Sequence, residues 1–250
     1  MKFMESKFKL PTETVELPSK GLLYPEDSPL ATGTIEMKYM TAKEEDILTN
    51  QNYIKNGTVI DKLLQSLIVD KSIKLNDLLI GDKNAIMIAA RVLAYGKDYT
   101  VTFAGERVTV DLSKLDNKEL DESLFKDGKN EFKFKLPSTD NEVTFKLITH
   151  ADEKNIEREI EGRKKLNKDS STQVTTRLAY ILTSVNGLTE KKDIREFVND
   201  YLLAKDSRAL REYYNSVSPD INLQHTYTDD AGRKEVFEIP IGIDFFWPDL

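Results

Sequence analysis

The pentapeptide Lys-Phe-Lys-Leu-Pro stands twice in this chain, at 7–11 and again at 133–137, and each copy is followed by similar landmarks in the same order. A chain of 250 residues patterned this way is constrained to fold from two versions of one small unit. Neither version repeats a set of catalytic side chains, which points to a scaffold that grips partners rather than to an enzyme.

The landmarks are those of strands, capped helices and hairpins. Leu17-Pro18-Ser19 precedes an alternating segment at 34–40, and Leu136-Pro137-Ser138 precedes a similar one at 143–149; a period of two argues for strands. Each runs into an acidic helix start, at 42–47 and 151–156, where carboxylates suit the positive end of the helix dipole. Thr41 and Glu44 have capping-box spacing, and the aligned second pair is His150 and Glu153. Amphipathic stripes follow: Val59, Ile60, Leu63, Leu64, Leu67 and Ile68 in one copy, and Val174, Leu178, Ile181, Leu182 and Val185 in the other. Asn186-Gly187 reads as a helix stop, after which Ile194, Phe197, Val198, Tyr201 and Leu202 give another buried stripe.

An Asp-x-x-Ala step recurs at Asp82 and Asp206, with the aspartate expected to cap the next helix. The first of these helices, carrying Ile86, Met87, Ile88, Val92 and Leu93, is apolar enough to be central. Each copy ends in a hairpin around Ala-Gly, at Ala104-Gly105 and Ala231-Gly232, and a further hairpin turns at 137–141. The separation of matched landmarks grows from 109 residues at Ala42 and Ala151 to 127 at Ala104 and Ala231. That drift fits a tandem duplication with insertions rather than a short-period solenoid. The expected fold is α+β: an extended proline-containing arm at 1–33, one module at 34–125, and a second at 126–250 with an aromatic C-terminal tail.

Several function classes lose support. No apolar run approaches the ~20 residues needed to cross a bilayer. Cysteine is absent and the formal net charge is −7, which argues against disulfides, thiolate chemistry and broad nucleic-acid binding. The one basic cluster, Arg163, Lys164, Lys165 and Lys168, follows Glu153, Glu157, Glu159 and Glu161 and reads as a solvated, charge-paired helix face. His150 and His225 are isolated, Asp229-Asp230 reads as a polar turn, Glu44, Glu45 and Asp46 as helix-start chemistry, and Gly81 lies in no Walker sequence. No catalytic residue, metal or cofactor is therefore assigned. A carboxylate-dependent hydrolase is the least favoured reading.

The ends carry the interaction signals. Leu22, Leu23 and Tyr24 stand among Pro18, Pro25 and Pro29, a composition suited to an extended arm offering apolar anchors, or to one that wraps back on its own domain. Phe245, Phe246 and Trp247 make a terminal aromatic cluster, fit either for an interface hot spot or for plugging a core.

Taken in order, Leu17-Pro18-Ser19-Lys20-Gly21 with Tyr24, Glu44-Glu45-Asp46-Ile47-Leu48, Asp77-Leu78-Leu79-Ile80-Gly81-Asp82, Arg91, Tyr95-Gly96 with Tyr99, and Phe245-Phe246-Trp247-Pro248 make a series that resembles the baseplate hub subunit family of T-even-like contractile-tailed bacteriophages. The resemblance implies a structural or assembly protein of the tail baseplate, built in the bacterial host cytoplasm. Its implied partners are other phage baseplate hub or tail proteins, with self-association alongside them and no membrane. A transient assembly chaperone, absent from the mature virion, is the alternative. Some members carry cysteine pairs in the hairpin after the Tyr-Gly step, resembling a zinc knuckle. This chain has Phe103-Ala104-Gly105 there, so zinc is not carried over.

Overall fold

A computed structural model describes residues 10–125, 128–166, 172–228, 232–242 and 244–246 of the chain. In the first half, β1 (Thr12–Glu16) and β2 (Thr34–Lys38) form an antiparallel pair with Val15 opposite Ile35. Three short helices follow, α1 (Ala42–Leu48), α2 (Gln51–Lys55) and α3 (Val59–Leu67), then the long α4 (Ile80–Tyr95). β3 (Asp98–Phe103) and β4 (Glu106–Asp111) close the half as a hairpin. Its turn residues Ala104 and Gly105 have φ of 51° and 87°, the double left-handed geometry that matches strand twist in two-residue hairpins.

The second half also begins with a strand pair and ends with a hairpin, but a third strand stands between its helices. β5 (Phe132–Lys135) and β6 (Glu142–Phe145) pair, α5 (His150–Leu166) and α6 (Gln173–Ile181) follow, and β7 (Leu182–Val185) adds to β6 as the third strand of the sheet. α7 (Lys191–Glu196) runs into one turn of π-helix at Phe197–Tyr201. Then come α8 (Ala204–Val217) and the hairpin of β8 (Gln224–Thr228) with β9 (Lys234–Glu238). The chain is α+β, with small antiparallel sheets among short helices.

Two parallels between the halves lie in their hydrogen bonds. Asp82 and Asp206 are each the third residue of their helix, so neither caps it; both carboxylates reach back to the turn after the first strand. Asp82 accepts from the Ser19 N–H at 2.9 Å and the Ser19 hydroxyl at 2.7 Å, while Asp206 accepts from the Ser138 N–H at 2.7 Å and the Thr139 hydroxyl at 2.9 Å. Asp82 thereby satisfies a buried N–H that would otherwise lack a partner, and Asp206 ties down a turn at the surface. The second parallel starts α1 and α5. Glu44 accepts from the Thr41 N–H and hydroxyl, and Asp152 from the Thr149 N–H and hydroxyl. The box in the second half is thus Thr149 and Asp152, one residue earlier than the expected His150 and Glu153. Lys38 and Lys146 complete the two sites as cations at 2.7 and 2.8 Å.

Three expectations are corrected. The proline-containing segment is no free arm, because β1 pairs along β2 and the Leu17 N–H donates to Gly33 O at 2.8 Å, closing the loop between them. Leu182 and Val185 do not continue the α6 stripe; they are inward-facing ends of β7, and Val174 is exposed. Tyr201 is also exposed, since the π turn, closed by the Leu202 N–H to Phe197 O bond, carries it off the α-helical face that buries Ile194 and Val198.

Buried side chains of both halves belong to one contiguous core, from Leu17 to Phe246, with α4 contributing Ile86, Met87, Ile88 and Ala90. A second small cluster stacks the two hairpins, Phe103 lying on Phe237 with centroids 4.5 Å apart. Between the halves, the His150 N–H donates to Leu78 O and the Lys118 N–H to Asp220 O, both at 2.8 Å. Gly81 lets the first turn of α4 lie against the segment after α8. A Cβ there would sit 1.8 Å from the carbonyl oxygen of Pro219.

Candidate partner-binding cleft

α5 is charged along most of its length and buries only His150 and Ile156. Side chains three and four apart share a helix face, and on α5 the residues His150, Glu153, Lys154, Glu157, Arg158 and Glu161 all line a cleft of 830 Å³ between the halves. The facing walls come from the corner between α2 and α3, the first turn of α4, and the end of α8 through Asp220.

Asp61, on α3, organises the floor. It accepts from His150 Nε2 at 2.7 Å and Lys154 Nζ at 2.9 Å, with Lys83 Nζ 3.6 Å away. Lys83 Nζ also lies 3.2 Å from His150 Nδ1. An ammonium only donates, so Nδ1 is the acceptor and the ring proton sits on Nε2. Burial works against the Asp61 charge, but the His150 and Lys154 hydrogen bonds and the Lys83 charge outweigh it and hold the carboxyl well below its usual range. Burial pushes the Lys83 ammonium down, opposed by Asp61.

Both ring nitrogens of His150 are spent on neighbours across the joint, so in this arrangement the imidazole has no nitrogen free to accept a proton from a substrate. Its position is that of a strut between α3, α4 and α5. Above it Arg177 grips Glu153 through two bonds of 2.7 Å. Glu157, Arg158 and Glu161 are exposed and carry no ion pair among the described residues. With Asp220 and Lys118 on the far wall, acidic and basic side chains are interspersed around the opening. A mixed surface suits a protein segment; a phosphate chain needs a basic one.

The partner-binding residues expected from the sequence lie elsewhere and do not converge. Leu22 is half-buried on a smaller groove of 510 Å³ beside Lys20, Glu122 and Phe125. Leu23 and Tyr24 are core residues. The Tyr24 hydroxyl donates to Asp82 at 2.6 Å and accepts the Leu79 N–H at 2.9 Å, and burial pushes its pKa up. Phe245 and Phe246 are each 1% exposed, Phe245 edge-on to Tyr99 at 4.8 Å. Trp247, Asp229, Asp230, Ala231 and Lys168 lie outside the described residues. In this structure the apolar faces of Leu23, Tyr24, Phe245 and Phe246 are taken up by the chain itself.

The basic cluster is partly paired, Arg163 meeting Glu159 at 2.8 Å. Glu159 is also held by Arg195 through two bonds of 2.7 Å, chiefly for which its pKa falls to about 2. No residue of the Asp61 floor except His150 was singled out from the sequence. The Asp61 carboxylate and its imidazole partner are 89 residues apart, and no local pattern joins them.

Glu44 gives these buried carboxylates a measurable signature. It is wholly buried, which disfavours its charge, yet hydrogen bonds from Lys38, Ser66 and Thr41 hold its pKa to about 2. A carboxyl depressed in the folded state contributes stability that is full above its unfolded pKa, about 4.3, and is lost as pH falls through the folded value. Thermal melts should therefore lose stability between pH about 4.3 and 2, and Glu44→Gln, less stable at neutral pH, should show a shallower loss. An equal slope in the two proteins would remove Glu44 from this role.

Among the described residues no helix is long and apolar enough to cross a membrane. Comparison with curated proteins and with solved structures gives no match. A model of the family described as T4 bacteriophage base plate protein matches residues 10–247. That match runs through both halves, from the first strand to the aromatic tail, and on it the chain belongs to the T4 bacteriophage base plate protein family.

Proposed function

We propose that the chain is a structural or assembly protein of the baseplate hub of a contractile phage tail, acting through protein contacts and without catalytic turnover. The observation that carries this reading, beyond family membership, is the cleft between the halves. Its α5 wall offers Glu157, Arg158 and Glu161 in alternating sign with no ion pair of their own, while the floor beneath is locked by the Asp61, His150, Lys83 and Lys154 cluster. Charges without ion pairs above a hydrogen-bonded floor favour a neighbour's polar segment, which supplies the opposite charges they lack. The shared Ser-turn-to-aspartate bonds and matching helix starts support reading the halves as diverged copies of one unit joined at this cleft.

The test is recovery of the tagged chain from infected host cells, with its neighbours identified by mass. Retention on stringently washed mature tails is expected. Presence only in assembly intermediates would identify a transient chaperone, and absence from both would sink the baseplate reading. Glu157→Lys with Arg158→Glu should lower recovery of tail proteins while leaving the melt unchanged. Full recovery with that variant would move the interface away from the cleft.

A further inference from the structure

Two exposed surfaces outside the cleft are complementary to one another. The first is a groove of 310 Å³ beside β7 and α7. Leu188 and Tyr201 are 56% and 61% exposed on it, over Val185 and Phe197. Its charged lining residues, Asp193 and Glu196, are both acidic, and neither has an ion-pair partner among the described residues. Rigid turns present the apolar pair. Leu188 and Val185 exchange backbone bonds of 2.8 and 2.9 Å, and Tyr201 ends the π turn closed by Leu202 N–H to Phe197 O at 2.8 Å. Single π turns inside helices concentrate at functional sites.

The second surface is the C-terminal end of α5. Leu166 is 91% exposed there, the most exposed of the large apolar side chains. Beside it Lys164 and Lys165 are exposed without a carboxylate partner among the described residues, although Arg163 one residue earlier has one. Interaction with the helix dipole accounts for basic residues at this end, but not for a leucine in solvent.

We infer that the α5 end of one copy docks into the groove beside α7 of a second copy, Leu166 against Leu188 and Tyr201, with Lys164 and Lys165 facing Asp193 and Glu196. The occupant is a second copy because one chain carries both members of the match, apolar residue to apolar groove and basic rim to acidic rim. Joining two different surfaces makes the contact heterologous, so each pair keeps one free groove on the first copy and one free helix end on the second. Association then continues beyond the dimer, as a ring where the rotation closes and as a filament where it does not. This goes beyond the hub reading and does not rest on it, since it needs only the chain itself.

Sedimentation velocity on the purified full chain tests it. Concentration-dependent association that weakens with salt is expected. Leu166→Asp and Leu188→Asp should each weaken association at least about tenfold, with melts unchanged because both positions are exposed. Mixing these two variants should give dimers and nothing larger, since the mixture holds only one intact end and one intact groove per pair. Charge reversal gives an independent arm. Asp193→Lys with Glu196→Lys should fail to associate alone and recover when Lys164→Glu and Lys165→Glu are added to the same chain. A wild-type chain that stays monomeric, single variants that associate like wild type, a mixture that remains monomeric, or failure of the charge-reversed chain to recover would each overturn the inference.

Discussion

Asp82→Ala should cost about 3 kcal/mol of folding stability, read as a lower urea midpoint at unchanged slope. The carboxylate is wholly buried and accepts three hydrogen bonds, from the Ser19 N–H, the Ser19 hydroxyl and the Tyr24 hydroxyl. Alanine leaves all three donors in the core with nothing to meet, and each unpaired buried group costs about 1–3 kcal/mol before any relaxation. Tyr24→Phe should cost less. It frees one carboxylate lone pair and strands the Leu79 N–H, but keeps the Ser19 turn tied. Asp206→Ala should also cost less, because the Ser138 turn it holds is exposed at its surface. An Asp82→Ala protein with the wild-type midpoint would show that the Ser19 turn is held by something else.

Phe245→Ala and Phe246→Ala should each cost about 3–5 kcal/mol, the range for a large aromatic removed from a packed interior. Phe245 packs edge-on against both Tyr99 and Phe246, at 4.8 and 5.4 Å. Tyr99 in turn lies beneath the Arg91 guanidinium, 5.8 Å from ring centroid to carbon, so the tail covers a cation–aromatic stack at the end of α4. The melting temperature is the deciding measurement. A tail that served neighbours alone would lose partner recovery and keep its melt. The buried placement instead calls for a lower melt, with partner recovery falling only as the folded fraction falls.

Local pattern made several elements legible before any tertiary contact. The Leu63, Leu64 and Leu67 stripe lies buried on α3, and the apolar run 86–90 lies in the centre of α4. Ala104-Gly105 turns where hairpin chemistry puts it. Errors came where two local readings share one spacing. Leu182 and Val185 stand three apart, which suits a helix face, and only pairing with β6 makes them strand ends. Thr149 with Asp152 and His150 with Glu153 are both plausible helix starts. The choice is settled because His150 is drawn inward by Asp61 and Lys83. An aspartate near a helix start reads as a cap until its long-range partner is seen. The cleft was not legible because its walls come from distant elements, and aromatic residues near a terminus have the same composition in a core as on an interface.

The joint between the halves also sets a timetable for folding. Asp61 waits 89 residues for His150, and Asn84 waits 136 for Asp220. Such closures pay chain entropy before they return contacts, which slows folding relative to a chain held by local contacts. The surfaces around Asp61, Lys83 and Gly81 are completed only by His150 and Pro219, which come later in the chain. A chain cut before residue 150 would therefore lack the groups that meet Asp61, Lys83 and Gly81, and should be caught by a protease faster than the full chain.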